Sequence, residues 1–546
     1  MKTAWLLGVG LTLLVPSVQT AQSAQAYRLL AVSPMCLTSG AESEGGPSEV
    51  KPPKAPPMSA DFGNGRFKIT ASAEGQRWFD YGLQLGWAFS HGDATAAFAE
   101  SMRLDPDCGM CAWGYAWSLG PTINFGIDPA DLVKARDAAE KAQTLLAKGS
   151  ERDRDLGAAL VLRYAGKGDN KAFAKAMDAL ATKYPKDDPI WVWAADAWMI
   201  ADQPARSMPL LETVLARSPG DAGAIHFYIH ASEWVGSPGK AEAYADKLQG
   251  IARGASHLIH MPSHTYYQIG RYKDAARANL DAMDVDAAWA KRTDGPSDLF
   301  KVGYYGHNVS FAMGGAMMAG DAPAALKVGG VFRAVDASKG GPWMQMGVAR
   351  AWFAYGRFGD IDEVLNMPKP AGALDRAMWR YGRGEALSRR GDPDAVRYEA
   401  AAIVAARPKV AASNARDFVV FLDIASEVLL GRAAMLEGNP REAARHYYKA
   451  SLLQERELGE SRDPPAWWYP VRRSYASALL ASGQTDKALK ETGKVLEKWP
   501  HDPLTLVVAG RAEAKKGRAD LAAERMKQAG REWVGGRLAG IDPGQI

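Results

Sequence analysis

Gly270–Ala282 reads GRYKDAARANLDA, and its order of residue types decides the fold. A glycine that turns the chain comes first, then polar residues, then alanines where two helices press together, with larger apolar side chains at helical spacing. The scheme returns in GNPREAARHYYKA (438–450), GQTDKALKETGKVLEKWP (483–500) and GRADLAAERMKQA (517–529). AFAESMRLDPDC (97–108), LLETVLARSPGDA (210–222) and VLEKWPHDP (495–503) carry a proline where such a unit would end. From residue 61 onward the pattern predicts helix throughout, with no sustained two-residue alternation to mark strands.

These segments resemble the tetratricopeptide repeat, a pair of antiparallel helices recurring about every 34 residues. The resemblance covers most of 61–546. Gly270, Tyr272 and Ala275 fit the turn and second helix, as do Gly483, Ala488 and Pro500, whereas 115–185 and 290–420 depart from the pattern and contain insertions. It implies an all-α fold, a right-handed α-solenoid of stacked antiparallel helix pairs, because one pair can bury its apolar face only against the next. Two solenoid stretches are expected, 61–289 and 306–546, with an insertion at 290–305.

The 546 residues carry a formal charge of only +4. No basic run of the kind that tracks phosphates is present, which argues against nucleic acid as a partner. Residues 1–26 read as an export signal: Lys2, the apolar stretch Ala4–Val15, and Ala24-Gln25-Ala26 as a small-x-small cleavage site. No segment has the uninterrupted apolar length of a membrane span, so the expected location is the periplasm or the medium, without stable membrane insertion. Residues 27–60, rich in Pro, Gly, Ser and Glu, are expected to form a disordered tether. In an oxidising compartment Cys108 and Cys111 of DPDCGMCAWGYAW read as a disulfide or as idle thiols rather than a redox site, given their helical surroundings. Cys36 is left over in the tether.

Five of the nine histidines fall between residues 226 and 264, in AIHFYIHASE (224–233) and HLIHMPSHTYYQIGRY (257–272). Repeats of 34 residues at 188–221, 222–255 and 256–289 make His226 equivalent to His260, and His230 equivalent to His264. Each pair is four residues apart and so shares one helical face. Glu233 follows His230 on that face, and Asp196 is the equivalent of His230 one repeat earlier. His257 joins the same set, although Pro262 either kinks its helix or starts a new one. In YYGHNVSFAMGGAMMAGDAPAA (304–325), the Gly320 turn makes His307 the equivalent of His257. In tetratricopeptide proteins this face of the first helix lines the concave groove, and the resemblance places these side chains there.

Imidazoles joined by a carboxylate suit transition metals. His226, His230, His257, His260, His264 and His307 are enough for one or two ions. An all-imidazole pair of sites favours copper, while fewer ligands plus Glu233, as base or ligand, suit one zinc with a bound water. The functional expectation is a metal-dependent protein, an oxidoreductase or a hydrolase, with a small molecule or peptide in the groove. The alternative is a scaffold that binds a partner peptide or protein there without catalysis. In DPPAWWYPVRRSY (463–475), Tyr469, Arg472 and Arg473 offer an aromatic and basic wall for a substrate, or else aromatic packing at a repeat junction. The chain also resembles a group of secreted or periplasmic tetratricopeptide proteins with DPDC and CxxC, HxYIH, HMPSH and DPPxWxYPVR segments. The matching residues here are Cys108 and Cys111, His226, Tyr228 and His230, His260 to His264, and Asp463 to Arg472. That resemblance implies the fold and a shared site, and no particular reaction.

Overall fold

The computed structural model describes residues 54–335, 342–412, 416–459 and 464–546. The expected signal peptide, the tether as far as residue 53, Cys36 and Asp463 lie outside the described residues. Among the described residues the long elements are all α-helices and no strand occurs. Each helix packs on its neighbours in sequence, giving an all-α solenoid of stacked helix pairs. No helix among them is long and apolar enough to cross a membrane.

The repeat register holds through the histidine-rich region. First helices Asp188–Ile200 and Ala222–Trp234 alternate with second helices Pro204–Arg217 and Glu242–Ile251. The Ala222–Trp234 helix begins where Asp221 accepts from the Ala224 amide, satisfying one of the donors that a helix start leaves open. The next first helix is interrupted. It runs as Ser256–His260, passes Met261, and resumes as Pro262–Ile269, because Pro262 has no N–H to continue the ladder. It ends at Gly270, whose φ of 87° is left-handed. The second helix, Tyr272–Arg292, buries Ala275, Ala276, Ala278 and Ala282 along one stripe. Residues 293–304 hold only a short 3-10 turn, and helix Tyr305–Ala319 follows.

Two stretches depart from the helical expectation. Residues 63–72 form no helix; they bury Phe67 and Ile69. Their amides are met by side chains instead of a ladder: Phe67 N–H donates to Asp80 and Ile69 N–H to Gln76. Asn64 reaches across to the Gly220 carbonyl and the Ala222 amide, and Phe67 packs edge-on to Trp193 at 5.2 Å. Near the other end, residues 533–546 carry only 3-10 turns. Their carbonyls take the guanidinium groups of Arg432, Arg357 and Arg511.

The superhelix also closes on itself. Tyr272 Oη donates to the Pro500 carbonyl at 3.1 Å, and the Val534 amide donates to the Ala319 carbonyl at 2.9 Å. Gly270 sits so close to this contact that a Cβ there would lie 1.9 Å from the Pro500 oxygen.

Candidate metal centre

The register places two histidine pairs on successive first helices, and the structure sorts the rings into two trios. Ligand atoms of His226, His230 and His257 lie within 4.8 Å of one another, as do those of His260, His264 and His307. Each trio thus takes two histidines from one first helix and a third from the start of the next. The second trio repeats the first one repeat along, His226 to His260, His230 to His264 and His257 to His307. The trios adjoin, with ring centroids 5.2 Å apart for His230 and His264 and 5.5 Å for His257 and His260. A third grouping, His230, Glu233 and His264, also lies within 4.8 Å and links the two.

Hydrogen bonds at the outer ring edges fix which nitrogen faces inward. His226 Nδ1 lies 2.6 Å from the Trp87 carbonyl, which only accepts. His260 Nδ1 lies 2.6 Å from Asn279 Oδ1; the Asn279 amide is oriented by donating to the Ala275 carbonyl. His264 Nδ1 meets Glu233 Oε2 at 2.9 Å. Each Nδ1 is therefore the donor, which leaves the Nε2 lone pair for the interior. There, Nε2 of His260 and Nε2 of His264 approach to 2.9 Å, and Nε2 of His226 and Nε2 of His257 to 3.1 Å. With both outer nitrogens of the His260–His264 pair donating, the 2.9 Å contact sets two lone pairs face to face unless a proton or a metal ion lies between them.

Burial keeps five of the six imidazoles neutral. His226 and His307 are pushed down to about 3, and His230, His257 and His260 well below the usual range, by desolvation first and by neighbouring imidazoles second. His230 is the extreme case: it is 5% exposed, and neither ring nitrogen has a hydrogen-bond partner among the described residues. Leaving such groups unmet costs about 1–3 kcal/mol. Coordination to an ion would satisfy one of them.

Aromatic rings close the centre. Phe89, held at a φ of 57°, lies 4.3 Å from His226 and 4.8 Å from His257. Phe311 lies 4.7–5.0 Å from His260, His264 and His307, and Tyr304 lies 4.3 Å from His257. The histidines are consequently packed inside the solenoid rather than displayed along an open groove, which corrects the expectation from the repeat. Sequence reasoning passed over Phe89, Asn279, Phe311 and Tyr304. Asn279 had left a trace, as one of two polar residues, with Asp286, in the buried alanine stripe of its helix.

Other expected residues lie in different surroundings. Glu233 stands behind His264, with one oxygen on His264 Nδ1 and the other accepting from Gln268. Asp196 belongs to neither trio. It lines a cavity of ≈ 20 Å³ with Arg163 and His91, and burial raises its carboxyl to about 7. The wall expected from Tyr469, Arg472 and Arg473 is interior packing and ion pairing. Tyr469 and Arg473 are fully buried, Arg473 pairs with Asp502 at 2.9 Å, and Arg472 is shared between Glu455 and Glu491. Trp467 of the same stretch packs on Phe353, Tyr381 and Phe421, so this segment seals a repeat junction instead of facing the histidines. Cys108 and Cys111 are joined as a disulfide at the start of helix Gly109–Ser118.

No family model matches the chain, and no curated protein matches it. Among solved structures, the Naa15/Naa10 complex bound to HypK-THB is similar at 14% identity, over 84% of this chain and 70% of that one, with a TM-score of 0.22. The human IFIT1 dimer with m7Gppp-AAAA is similar at 12% identity, over 84% of this chain and 81% of that one, with a TM-score of 0.27. Likeness at this level carries nothing about the site or its chemistry.

Proposed function

We propose that this chain is an exported metalloprotein with two adjacent three-histidine ion sites, His226/His230/His257 and His260/His264/His307, and that it acts as a copper-dependent oxidoreductase. The observation that carries the reading is the convergence of buried imidazoles, together with His230, neither of whose nitrogens has a hydrogen-bond partner among the described residues. Export is supported by the Lys2, Ala4–Val15 and Ala24-Gln25-Ala26 pattern.

Charge favours copper over zinc. Two zinc ions would bring four positive charges into a buried site with one nearby carboxylate, Glu233, whereas reduced copper would bring two; buried charge without compensation is costly. Six imidazoles also suit copper's preference among nitrogen donors. A hydrolase reading needs a base for a bound water, whereas the Glu233 carboxylate is used to orient His264 Nδ1 and to accept from Gln268. When bound, a pair of copper ions supplies electron exchange with a small oxidant or reductant. The protein's share is to hold the rings in one tautomer through Trp87, Glu233 and Asn279, and to keep water out with Phe89 and Phe311. A scaffold that grips a peptide through these histidines has less support, because five of the six rings are 5% exposed or less.

Elemental analysis of the protein purified from the exported fraction tests this. About two copper ions per chain are expected, falling below about one in the His230→Ala/His264→Ala double variant. Less than a tenth of an equivalent of any transition metal in the unaltered protein, even after incubation with copper, would overturn the reading.

A further inference from the structure

The two trios repeat one another in ligand position but not in what stands behind the ligands. In the second, His264 is backed by the Glu233 carboxylate and His260 by the Asn279 oxygen, and both backing groups are themselves anchored, by Gln268 and by the Ala275 carbonyl. In the first, only His226 has an outer partner, the neutral Trp87 carbonyl. His257 Nδ1 and both nitrogens of His230 are buried without a hydrogen-bond partner among the described residues. Partners behind a metal-bound imidazole fix its orientation and raise its basicity, and a carboxylate does so more than a carbonyl. Glu233 also brings a carboxylate next to the centre, on the side of the second trio. The Glu233 position has no counterpart one repeat on or back: Tyr267 and Met199 stand there.

We infer that the two sites are unequal and fill in order, His260/His264/His307 first and His226/His230/His257 second, with Glu233 and Asn279 as the positioning residues that set the order. The inference rests on the two-ion reading above. The order follows from rigidity as well as charge. The first ion meets rings already held by hydrogen bonds, whereas binding at the other trio must also order His230, which no hydrogen bond holds. The second ion also arrives beside a charge already in place, which weakens it further. A singly loaded protein is therefore a defined species, with the ion on the Glu233 side.

Anaerobic titration of the full, metal-free chain with Cu(I) against a coloured chelator reads this directly. Two classes differing at least tenfold in affinity are expected. Glu233→Gln should weaken the tight class about 10–100-fold and leave the weak class in place, and Asn279→Ala should act in the same direction. His257→Ala should remove the weak class and spare the tight one. The electron paramagnetic resonance spectrum of the protein holding one equivalent of Cu(II) should change in Glu233→Gln and stay unchanged in His257→Ala, a distinction that loss of fold alone does not produce. Two ions of equal affinity in the unaltered chain, or loss of the tight class in His257→Ala, would overturn the order while leaving a two-ion site. Failure of every form to bind copper would remove the reading beneath it instead.

Discussion

Arg473 and Asp502 show how the residue scale separates core from site. The pair is 1% and 0% exposed, and the guanidinium also stacks on Trp468 and Tyr469. Removing Asp502 leaves a buried cation without its counter-ion, and we expect Asp502→Ala to cost about 3–5 kcal/mol, measured by chemical denaturation, with copper content per folded chain unchanged. A loss of copper in that variant with the fold intact would instead return Arg473 to the site. Four of the histidines, His226, His230, His260 and His264, were legible from spacing, because a 34-residue period and a four-residue pair fix both the helix and its face, whereas His257 and His307 were placed only through their distance from the Gly270 and Gly320 turns. The side chains behind and over them were not. Phe89 enters by a left-handed backbone at a helix junction, and Tyr304 by a segment outside the repeat, and neither carries a periodic signal.

At the scale of the element, turn glycines differ in what surrounds them. Gly270 and Gly483 both adopt left-handed φ, 87° and 82°, but a Cβ on Gly483 meets nothing within 4 Å. Gly483→Ala should cost about 1–2 kcal/mol, the ordinary strain of an alanine in that conformation. Gly270→Ala must also push Pro500 away, so its loss should be clearly larger and should release the contact between Tyr272 and Pro500. Comparing the two melting curves checks this; equal losses would mean that the closure adds nothing. Helix pairs were legible because glycine, alanine and apolar spacing each recur. Residues 63–72 were not, since their amides are satisfied by Gln76 and Asp80 from a neighbouring helix, and such pairing leaves no period in the sequence.

For the whole molecule, burial sets the response to pH. His226 and His307 are held at about 3 and His91 at about 4, with His230, His257 and His260 also far below their usual value. Below about 6.5 the unfolded chain binds protons that these folded imidazoles refuse, so their contribution is complete above about 6.5 and is lost as pH falls toward 4. Asp196 and Asp286, raised to about 7 by burial, act in the opposite sense. They keep protons that the unfolded chain releases above about 4, so they weaken the fold as pH rises from about 4 to 7. The six strongly shifted imidazoles outweigh Asp196, Asp286 and the smaller rises at Asp80, Asp93, Asp221, Asp281, Asp423 and Glu532, and the melting temperature of the metal-free protein should rise between pH 4.5 and 6.5. Asp286→Asn, which removes one opposing group, should steepen that rise. A flat or falling profile would contradict this account.

The non-helical stretch at 63–72 has a consequence in time. Helix pairs of a solenoid form from contacts close in sequence, whereas Asn64 and Phe67 have partners at Gly220 and Trp193, well over a hundred residues away. Closing such a loop is slow compared with folding a helix pair. Refolding should therefore recover helical circular dichroism first and tryptophan fluorescence in a later phase, and Phe67→Ala should shrink that later phase while sparing the earlier one. Among the described residues, the stretch that comes near the beginning of the chain is among the last to find its place.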